Sequence, residues 1–572
     1  MKILVVGAVA AGPKAACRAR RLLPDADITL IDQDDLISYG GCGIPYYVSG
    51  DVQDEKELRS TSFHMVRDEH FFEAAKGVRV RTSTRALAID RKEKKVLVED
   101  VRSGDKSEIP YDKLVLATGS RPNVLPIPGV DLNGVFTISS LHKAIALKEM
   151  ISTGKVESAV VIGGGAIGIE MAEALADLWG IDTTIIEFMP QLLPNLVPPY
   201  MAEMLKRHLE ENGVKVFTGE GAQEIAGDGS GTVTKVVTPK RELLCQLVIM
   251  AAGVRPRGEL AEEAGLQVSP FGAICVNQRM QTSDPDIYAA GDCVETLNLI
   301  TGKRVFAPLG SLANRQGRVV ADNLAGIPTR FDGVVGSFIM KAFDVAIGAT
   351  GLSLEAARRE GFDAVEAVAA QADRAHFIPT QAMMFMNLVV ERSGGRVLGL
   401  QGYGQMGDGV MARINAVAGL LGRGTVVGDI SRLELAYAPP FSNAVDILNT
   451  AGNIADNLLA HRLRTVTIQE FSRWMEGDVD RPQWVALDLR HTKEAAPWVD
   501  RHGEKWLSIP YDEIRTRIEE VPRDKTLILI CNAGTRSYEV QRVLESHGFD
   551  NLMVLPGGLN VIRRIRPTWW VE

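Results

Sequence analysis

A chain of 572 residues has room for about three or four domains, and its 46% hydrophobic and 24% charged residues are ordinary for a globular protein. A net charge of −9, from 63 basic and 72 acidic residues, argues against bulk nucleic-acid binding. No run reaches the roughly 18 apolar residues of a membrane span, and six cysteines without paired spacing indicate a reducing, cytoplasmic setting.

The chain opens on "KILVVGAVAAG", a short apolar run ending in glycines, which predicts a buried strand and a tight turn rather than a signal peptide. "PKAACRARRLL" then predicts a helix and "DITLIDQD" a second strand. Next comes "ISYGGCGIPYY", which places one cysteine, Cys42, in a glycine-rich turn; five residues on stands Tyr47, where a C-x4-C pair would put a second thiol. "YDKLVLATGSRPN" is an apolar strand running into a glycine turn. The strand–loop–helix–strand unit then returns as "SAVVIGGGAIGIEMAEALADLWGIDTTIIEF", followed by "CQLVIMAAGVRP" and "TSDPDIYAAGDCVE". Two copies predict two Rossmann-like nucleotide-binding lobes, with the chain leaving the first, building the second and returning. A section from about 330 to 450 carries no nucleotide loop. Six of the seven tryptophans lie beyond "AHRLRTVTIQEF", which marks a separate small α/β domain. The expected divisions are 1–150 with 271–328, 151–270, 329–450, a linker 451–463, and 464–572.

In the first lobe Gly7 and Gly12 bracket the loop, and Asp32 lies twenty residues beyond Gly12. Backbone N–H groups at a helix N-terminus meet a pyrophosphate there, and the carboxylate accepts from a ribose. The second loop has Gly163, Gly165 and Gly168, and Glu187 ends the next strand. A carboxylate at that place repels a 2′-phosphate, so it favours NADH over NADPH. Asp292 in "DIYAAGDC" is a candidate for ribityl or pyrophosphate contacts. One lobe holding a flavin and the other a nicotinamide make a hydride relay.

The ordered set "VVGAVAAG", "SYGGCGIPYY", "LATGSRP", "VVIGGGAIGIE", "TSDPDIYAAGD" and "LELAYAPPFS" resembles the coenzyme A-disulfide reductase branch of the pyridine nucleotide–disulfide oxidoreductases, over about residues 1–450. "CNAGTRS" resembles the active loop of rhodanese sulfurtransferases. Together they resemble the coenzyme A-disulfide reductase–rhodanese fusions, some of which reduce polysulfide or persulfide. The resemblance implies an α/β chain with FAD and NADH domains, an α+β dimerisation domain, a C-terminal rhodanese domain and a homodimer. It adds Ser38, Thr118 and Gly119 to the flavin site. It also gives Cys42 a partner: the missing second thiol is carried by coenzyme A in a mixed disulfide. A cysteine near a helix start and an electron-poor flavin is expected to have a lowered pKa. Lys14, Arg18 and Arg21 share one face of the first helix, with Arg20 on a neighbouring face, and are candidates for the coenzyme A phosphates.

Two departures from the family stand out. A tyrosine pair expected before a proline is here Phe377-Ile378 before Pro379, and a lysine expected after the later motif is Val445, although Tyr437 survives in "AYAPPFS". A hydroxyl able to hydrogen-bond the reacting sulfur is missing, which weakens coenzyme A disulfide itself as preferred substrate relative to persulfide or polysulfide. In the last domain Cys531 opens a loop suited to cradle a thiolate or persulfide, Arg536 adds charge for an anionic donor, Ser537 is placed to hydrogen-bond within the loop, and Asp488 and Arg490 support the fold. One alternative is an NADH oxidase or peroxidase cycling through a sulfenic acid; such relatives place a histidine in the first glycine loop, where this chain has Ala10. Another is a non-catalytic sulfur carrier or redox sensor, which the intact nicotinamide loop disfavours. No metal site is expected.

Overall fold

The computed structural model describes residues 1–405 and 407–570. They form two compact units, Met1–Pro190 with Asn212–Val334, and Gln191–Glu211 with Val335–Glu572.

The first unit is built on two five-stranded parallel sheets. One runs in the order Ile287–Ala289, Lys113–Leu116, Lys2–Val6, Asp27–Ile31, Arg79–Arg81. The other runs Lys215–Thr218, Asp182–Glu187, Ser158–Ile162, Leu247–Met250, Val135–Thr137. The central strands read as unbroken apolar runs because layers of structure cover both faces; four of the five residues in Lys2–Val6 and in Ser158–Ile162 are buried. Register sets the sites. Val6 pairs with Ile31 and Leu116, and Ile162 pairs with Ile186 and Met250. The two glycine loops therefore leave at the same, carboxyl edge of their sheets, where ligands of open α/β sheets bind. A short ladder, Ser120–Pro122 against Val254–Pro256, ties the two lobes together.

The second unit contains an antiparallel five-stranded sheet, ordered Phe338–Ala342, Val345–Gly351, Val397–Gln405, Met383–Glu391, Ala364–Ala372. Helices Asp408–Leu421 and Ile447–Leu459 pack on it. It also contains a parallel sheet ordered Trp506–Ser508, Trp484–Asp488, Thr526–Ile530, Leu552–Val554, whose core includes Leu487, Leu529, Leu544 and Val554. Helix Pro199–Glu211 lies between two nucleotide-lobe strands in sequence but packs with this unit. The reason is local: the Tyr200 hydroxyl reaches Asn387 Oδ1 at 3.3 Å and His208 Nε2 lies 2.9 Å from Asp344 Oδ1. The C-terminal helix Gly558–Ile565 packs on helix Pro199–Glu211 and on strand Ala364–Ala372. Arg566 pins its end, pairing with Glu203 at 3.3 Å and Glu476 at 2.5 Å. Among the described residues no helix is long and apolar enough to cross a membrane.

Candidate active sites

The two glycine loops are built alike. Gly7 (φ +108°) would put a β-carbon 2.1 Å from the Ala117 carbonyl oxygen, and Gly163 (φ +115°) one 2.4 Å from that of Ala251. No side chain fits either place, so the loops lie tight on the strand ends. Helices Ala11–Leu22 and Ala166–Ala176 start directly after them with no side-chain cap. Their first N–H groups are thus available to an anion. The acids close the loops from the next strand. Asp32 Oδ2 accepts from Ala8 N at 2.6 Å, and Glu187 Oε2 accepts from Gly164 N at 2.6 Å. Glu187 Oε1 also accepts from Met189 N at 2.6 Å. Burial pushes the Asp32 carboxyl up, against the pull of its N–H donors. Gly12 and Gly168 let each helix touch its loop, and open space surrounds Gly165 and Gly119. Two uncapped helix starts, each with a loop-held carboxylate, fit the pyrophosphate and ribose of FAD and NADH.

Other flavin candidates gather near the first loop. Ser38 is buried, adopts φ 52°, and donates its N–H to the Ala8 carbonyl at 2.7 Å, which docks the Cys42 turn on the loop. The Thr118 hydroxyl donates to the Arg257 carbonyl at 2.6 Å and therefore serves the inter-lobe ladder. Ser120 Oγ donates to Asp292 Oδ2 at 3.1 Å, and burial pushes that carboxyl up.

Cys42 sits in the short turn Gly41–Gly43, ahead of helix Ile44–Ser49. The residue is exposed, and a β-carbon on Gly310 would lie 3.9 Å from its Sγ. Gly310 opens the helix Gly310–Leu324, and that end favours a thiolate by roughly 0.3–1 kcal/mol. The expected lowering of the thiol pKa is nevertheless not what the protein's groups produce. Desolvation pushes it up, and the charges of Glu170 and Asp292 push it further. Glu170 lies on helix Ala166–Ala176, which packs against the helix that follows Cys42. Burial and the neighbouring Glu173 raise the Glu170 carboxyl to about 7. Position 47 holds a buried tyrosine under the Lys148 ammonium, 4.0 Å from the ring centre, so no second thiol stands there.

The basic helix face is divided in use. Arg18 Nε is committed to Asp322 Oδ1 at 2.9 Å, and Arg20 to the carbonyls of Gly77 and Pro24 at 2.7 Å each. Lys14 and Arg21 are exposed, and neither makes an ion pair or hydrogen bond among the described residues, so they are the cations free for a phosphate.

In the second unit Tyr437 is 50% exposed, and Phe377, Phe441 and Val445 are exposed as well. Ala375 N donates to the Pro439 carbonyl at 3.2 Å and brings the Phe377 segment beside the Tyr437 segment.

Cys531 is buried, at 1% exposure. The left-handed Gly534 (φ +96°) turns its N–H back onto Cys531 Sγ at 3.1 Å and opens helix Thr535–Ser546. The opposite wall is the glycine pair Gly557-Gly558. Leu559 N donates to the Cys531 carbonyl and Asn560 N to that of Asn532, each at 2.9 Å. Gly557 lies against the antiparallel sheet: its β-carbon would sit 3.2 Å from Val368 Cγ1. Arg536 is half-buried beside the loop. Ser537 is fully buried, and its hydroxyl has no hydrogen-bond partner among the described residues. Asp488 and Arg490 form a buried pair at 2.6 Å, and Trp506 Nε1 donates to the same carboxylate at 3.1 Å.

Sequence reasoning missed Glu170 and Gly310. The only cue for Glu170 was its place two residues after Gly168, inside a loop already assigned to a nucleotide. It also missed the trio Asp34, Asp35 and His142, whose ligand atoms lie within 4.8 Å of one another. That trio is half-exposed and already joined by hydrogen-bond contacts of 2.8 and 2.6 Å to the imidazole, which explains it without an ion.

Residues 1–307 match the pyridine nucleotide-disulphide oxidoreductase family, residues 338–448 the dimerisation domain of that family, and residues 471–564 the rhodanese-like domain. The NAD(P)H coenzyme A polysulfide/persulfide reductase of Pyrococcus horikoshii is 35% identical over 78% of this chain and 96% of that protein. The NADH oxidase of Methanocaldococcus jannaschii is 34% identical over 81% of this chain and all of that protein. The solved structure of a NAD-dependent persulfide reductase from A. fulgidus superposes with a TM-score of 0.92, at 38% identity, over 98% of this chain and all of that chain.

Proposed function

The chain belongs to the pyridine nucleotide-disulphide oxidoreductase family, and from that premise we propose that it is an FAD-dependent, NADH-consuming reductase of persulfide, polysulfide or coenzyme A disulfide, joined to a rhodanese sulfurtransferase site. The observation that carries this reading is the position of Cys42: a lone thiol in a turn docked on the first nucleotide loop, with a tyrosine where a second thiol would stand.

FAD, bound along the first loop, supplies the route by which two electrons pass from NADH to sulfur. The rest is the work of this chain. The Cys42 thiolate attacks one sulfur of the substrate; a Cys42–S bond forms, the S–S bond breaks, and the other sulfur leaves as an anion that takes a proton. Two electrons then cleave the Cys42–S bond, restoring the thiolate and releasing the second thiol. For a persulfide the sum is RSSH + NADH + H⁺ → RSH + H₂S + NAD⁺. Lys14 and Arg21 are the cations of the first helix left to hold coenzyme A, and Glu187 selects NADH. In the second domain, Cys531 takes a sulfane sulfur from a donor, with the Gly534 N–H and Arg536 stabilising the anion.

The matched dimerisation segment supports a homodimer in which Tyr437 serves the partner's Cys42. Six free cysteines support a reducing, cytoplasmic setting. A thiol-transfer relay between Cys531 and Cys42, carried on the pantetheine arm of a bound coenzyme A, would raise the local concentration of the second step to roughly millimolar. The deciding experiment is anaerobic NADH turnover with persulfide, polysulfide and coenzyme A disulfide, beside peroxide and oxygen. Similarity to an NADH oxidase gives the oxidase reading its weight; Ala10 at the loop position where a histidine is expected counts against it. Turnover confined to oxygen or peroxide would overturn the reductase assignment. Sedimentation of an active monomer would overturn the dimer, and a higher kcat/KM for NADPH would overturn the role of Glu187.

A further inference from the structure

The helix that begins after the Cys531 loop carries Arg536 in its first turn and Glu539 three residues later. Residues at that spacing share a helix face. Arg536 makes no ion pair or hydrogen bond of its own among the described residues. Glu539 is exposed and accepts a hydrogen bond from the Tyr511 hydroxyl at 2.5 Å. That hydroxyl also lies in the field of Arg515 and Arg536. Around the Tyr511 hydroxyl, at the start of the helix that leaves the Cys531 loop, two guanidinium groups thus act together with one carboxylate that the phenol holds. Alone, the guanidinium groups would favour the most highly charged small anion available. The carboxylate opposes this.

We propose that Glu539, positioned by Tyr511, is a specificity-determining residue of the Cys531 site, one that disfavours compact dianionic sulfur donors such as thiosulfate and turns the site toward the singly charged persulfide of a low-molecular-weight thiol. The proposal rests on the reading of Cys531 as a sulfurtransferase nucleophile. From thiosulfate, the Cys531 thiolate attacks the outer sulfur; a Cys531–S bond forms, the S–S bond breaks, and sulfite leaves with the bonding pair. From a persulfide, the same attack on the terminal sulfur releases a thiolate. Charge balances in both, but the first donor brings two negative charges to the site and the second brings one. A fixed carboxylate repels the dianion about twice as strongly at equal distance. Selection by a repulsive element is a general route to specificity.

The test uses the full-length enzyme, with cyanide as sulfur acceptor and, as donor, thiosulfate or 2-hydroxyethyl persulfide, whose only charge is on the persulfide. In Glu539→Gln the ratio of kcat/KM for thiosulfate to that for persulfide should rise by about three- to tenfold at low ionic strength, and the gain should shrink toward unity near roughly 0.5 M salt, where the screening length is only a few ångströms. Tyr511→Phe, which releases the carboxylate without removing it, should give a smaller rise. NADH-dependent reduction at Cys42 reports that each variant is folded. An unchanged ratio in Glu539→Gln, or a gain that survives high salt, overturns the proposal while leaving the Cys531 reading intact. Transfer from neither donor by the wild-type enzyme, or full transfer by Cys531→Ala, overturns that reading and the proposal with it.

Discussion

Cys42 and Cys531 are both read as sulfur nucleophiles, yet the chain treats them in opposite ways. Cys42 is exposed, and its surroundings oppose its charge: desolvation, Glu170 and Asp292 all push the thiol up. Cys531 is buried, and its sulfur accepts a backbone N–H from the start of the helix that follows. The contrast separates two ways of making sulfur reactive. A site that also binds a cofactor leaves part of the stabilisation to that cofactor, whereas a site that works alone must carry its own donors.

The largest break in this comparison is Cys42→Ser. It should retain bound FAD and lose reduction of persulfide and disulfide by roughly a thousandfold or more, read as anaerobic NADH consumption and sulfide release. Near-wild-type turnover would remove Cys42 from the chemistry. Cys531→Ala should cost about a hundredfold in sulfur transfer from thiosulfate while sparing reduction of a preformed small persulfide at Cys42. If both kinds of sulfide release stay at wild-type rates, the two sites share a chain without a relay. Replacing Lys14 and Arg21 together by alanine should weaken coenzyme A binding by about tenfold, seen as a salt-sensitive change in Kd, and leave flavin reduction by NADH alone. Because Arg18 is tied to Asp322, Arg18→Ala would confuse a binding loss with a structural one.

Two half-buried acids sharpen the comparison through pH. Glu366 shares a strand with Val368, which supports Gly557 behind the Cys531 loop. Burial raises its carboxyl from the usual 4.5 to about 7, and its Oε2 lacks a hydrogen-bond partner. The folded chain keeps this proton where the unfolded chain has lost it. Stability therefore falls as pH rises from about 4.5 to about 7 and stays low above that, by at most about 3 kcal/mol. Glu366→Gln should raise the unfolding temperature of this unit by several degrees at pH 8 and little at pH 4.5; an equal gain at both would refute the cause. Beside Cys42, Glu170 ionises near pH 7 and then pushes the thiol higher. Glu170→Gln should move the midpoint of Cys42 alkylation by iodoacetamide to lower pH. An unmoved midpoint would clear Glu170 of that influence.

How much of this was legible in the sequence depended on range. The glycine loops, Asp32 and Glu187 were readable because a strand, a turn and a helix start are adjacent in the chain. The Cys531 loop was readable for the same reason. The direction of the Cys42 shift was not: the helix-start cue is local, but Glu170 and Asp292 arrive from distant segments. The fates of Thr118 and Arg18 were hidden likewise, since Arg257 and Asp322 lie far along the chain. Helix Pro199–Glu211 illustrates the limit most clearly. Its sequence places it within the nucleotide lobe, and only packing assigns it to the other unit.

The seat of helix Gly558–Ile565 on strand Ala364–Ala372 and helix Pro199–Glu211 has a consequence for the life of the protein in a cell. A stop codon or a protease cut ahead of the last domain would not release a tidy smaller reductase. It would strip the cover from Val368, now only 3% exposed, and bare apolar surface on a sheet. Such a fragment would invite aggregation and clearance. The fused segment thus serves as part of the cover of that sheet, whatever sulfur it carries.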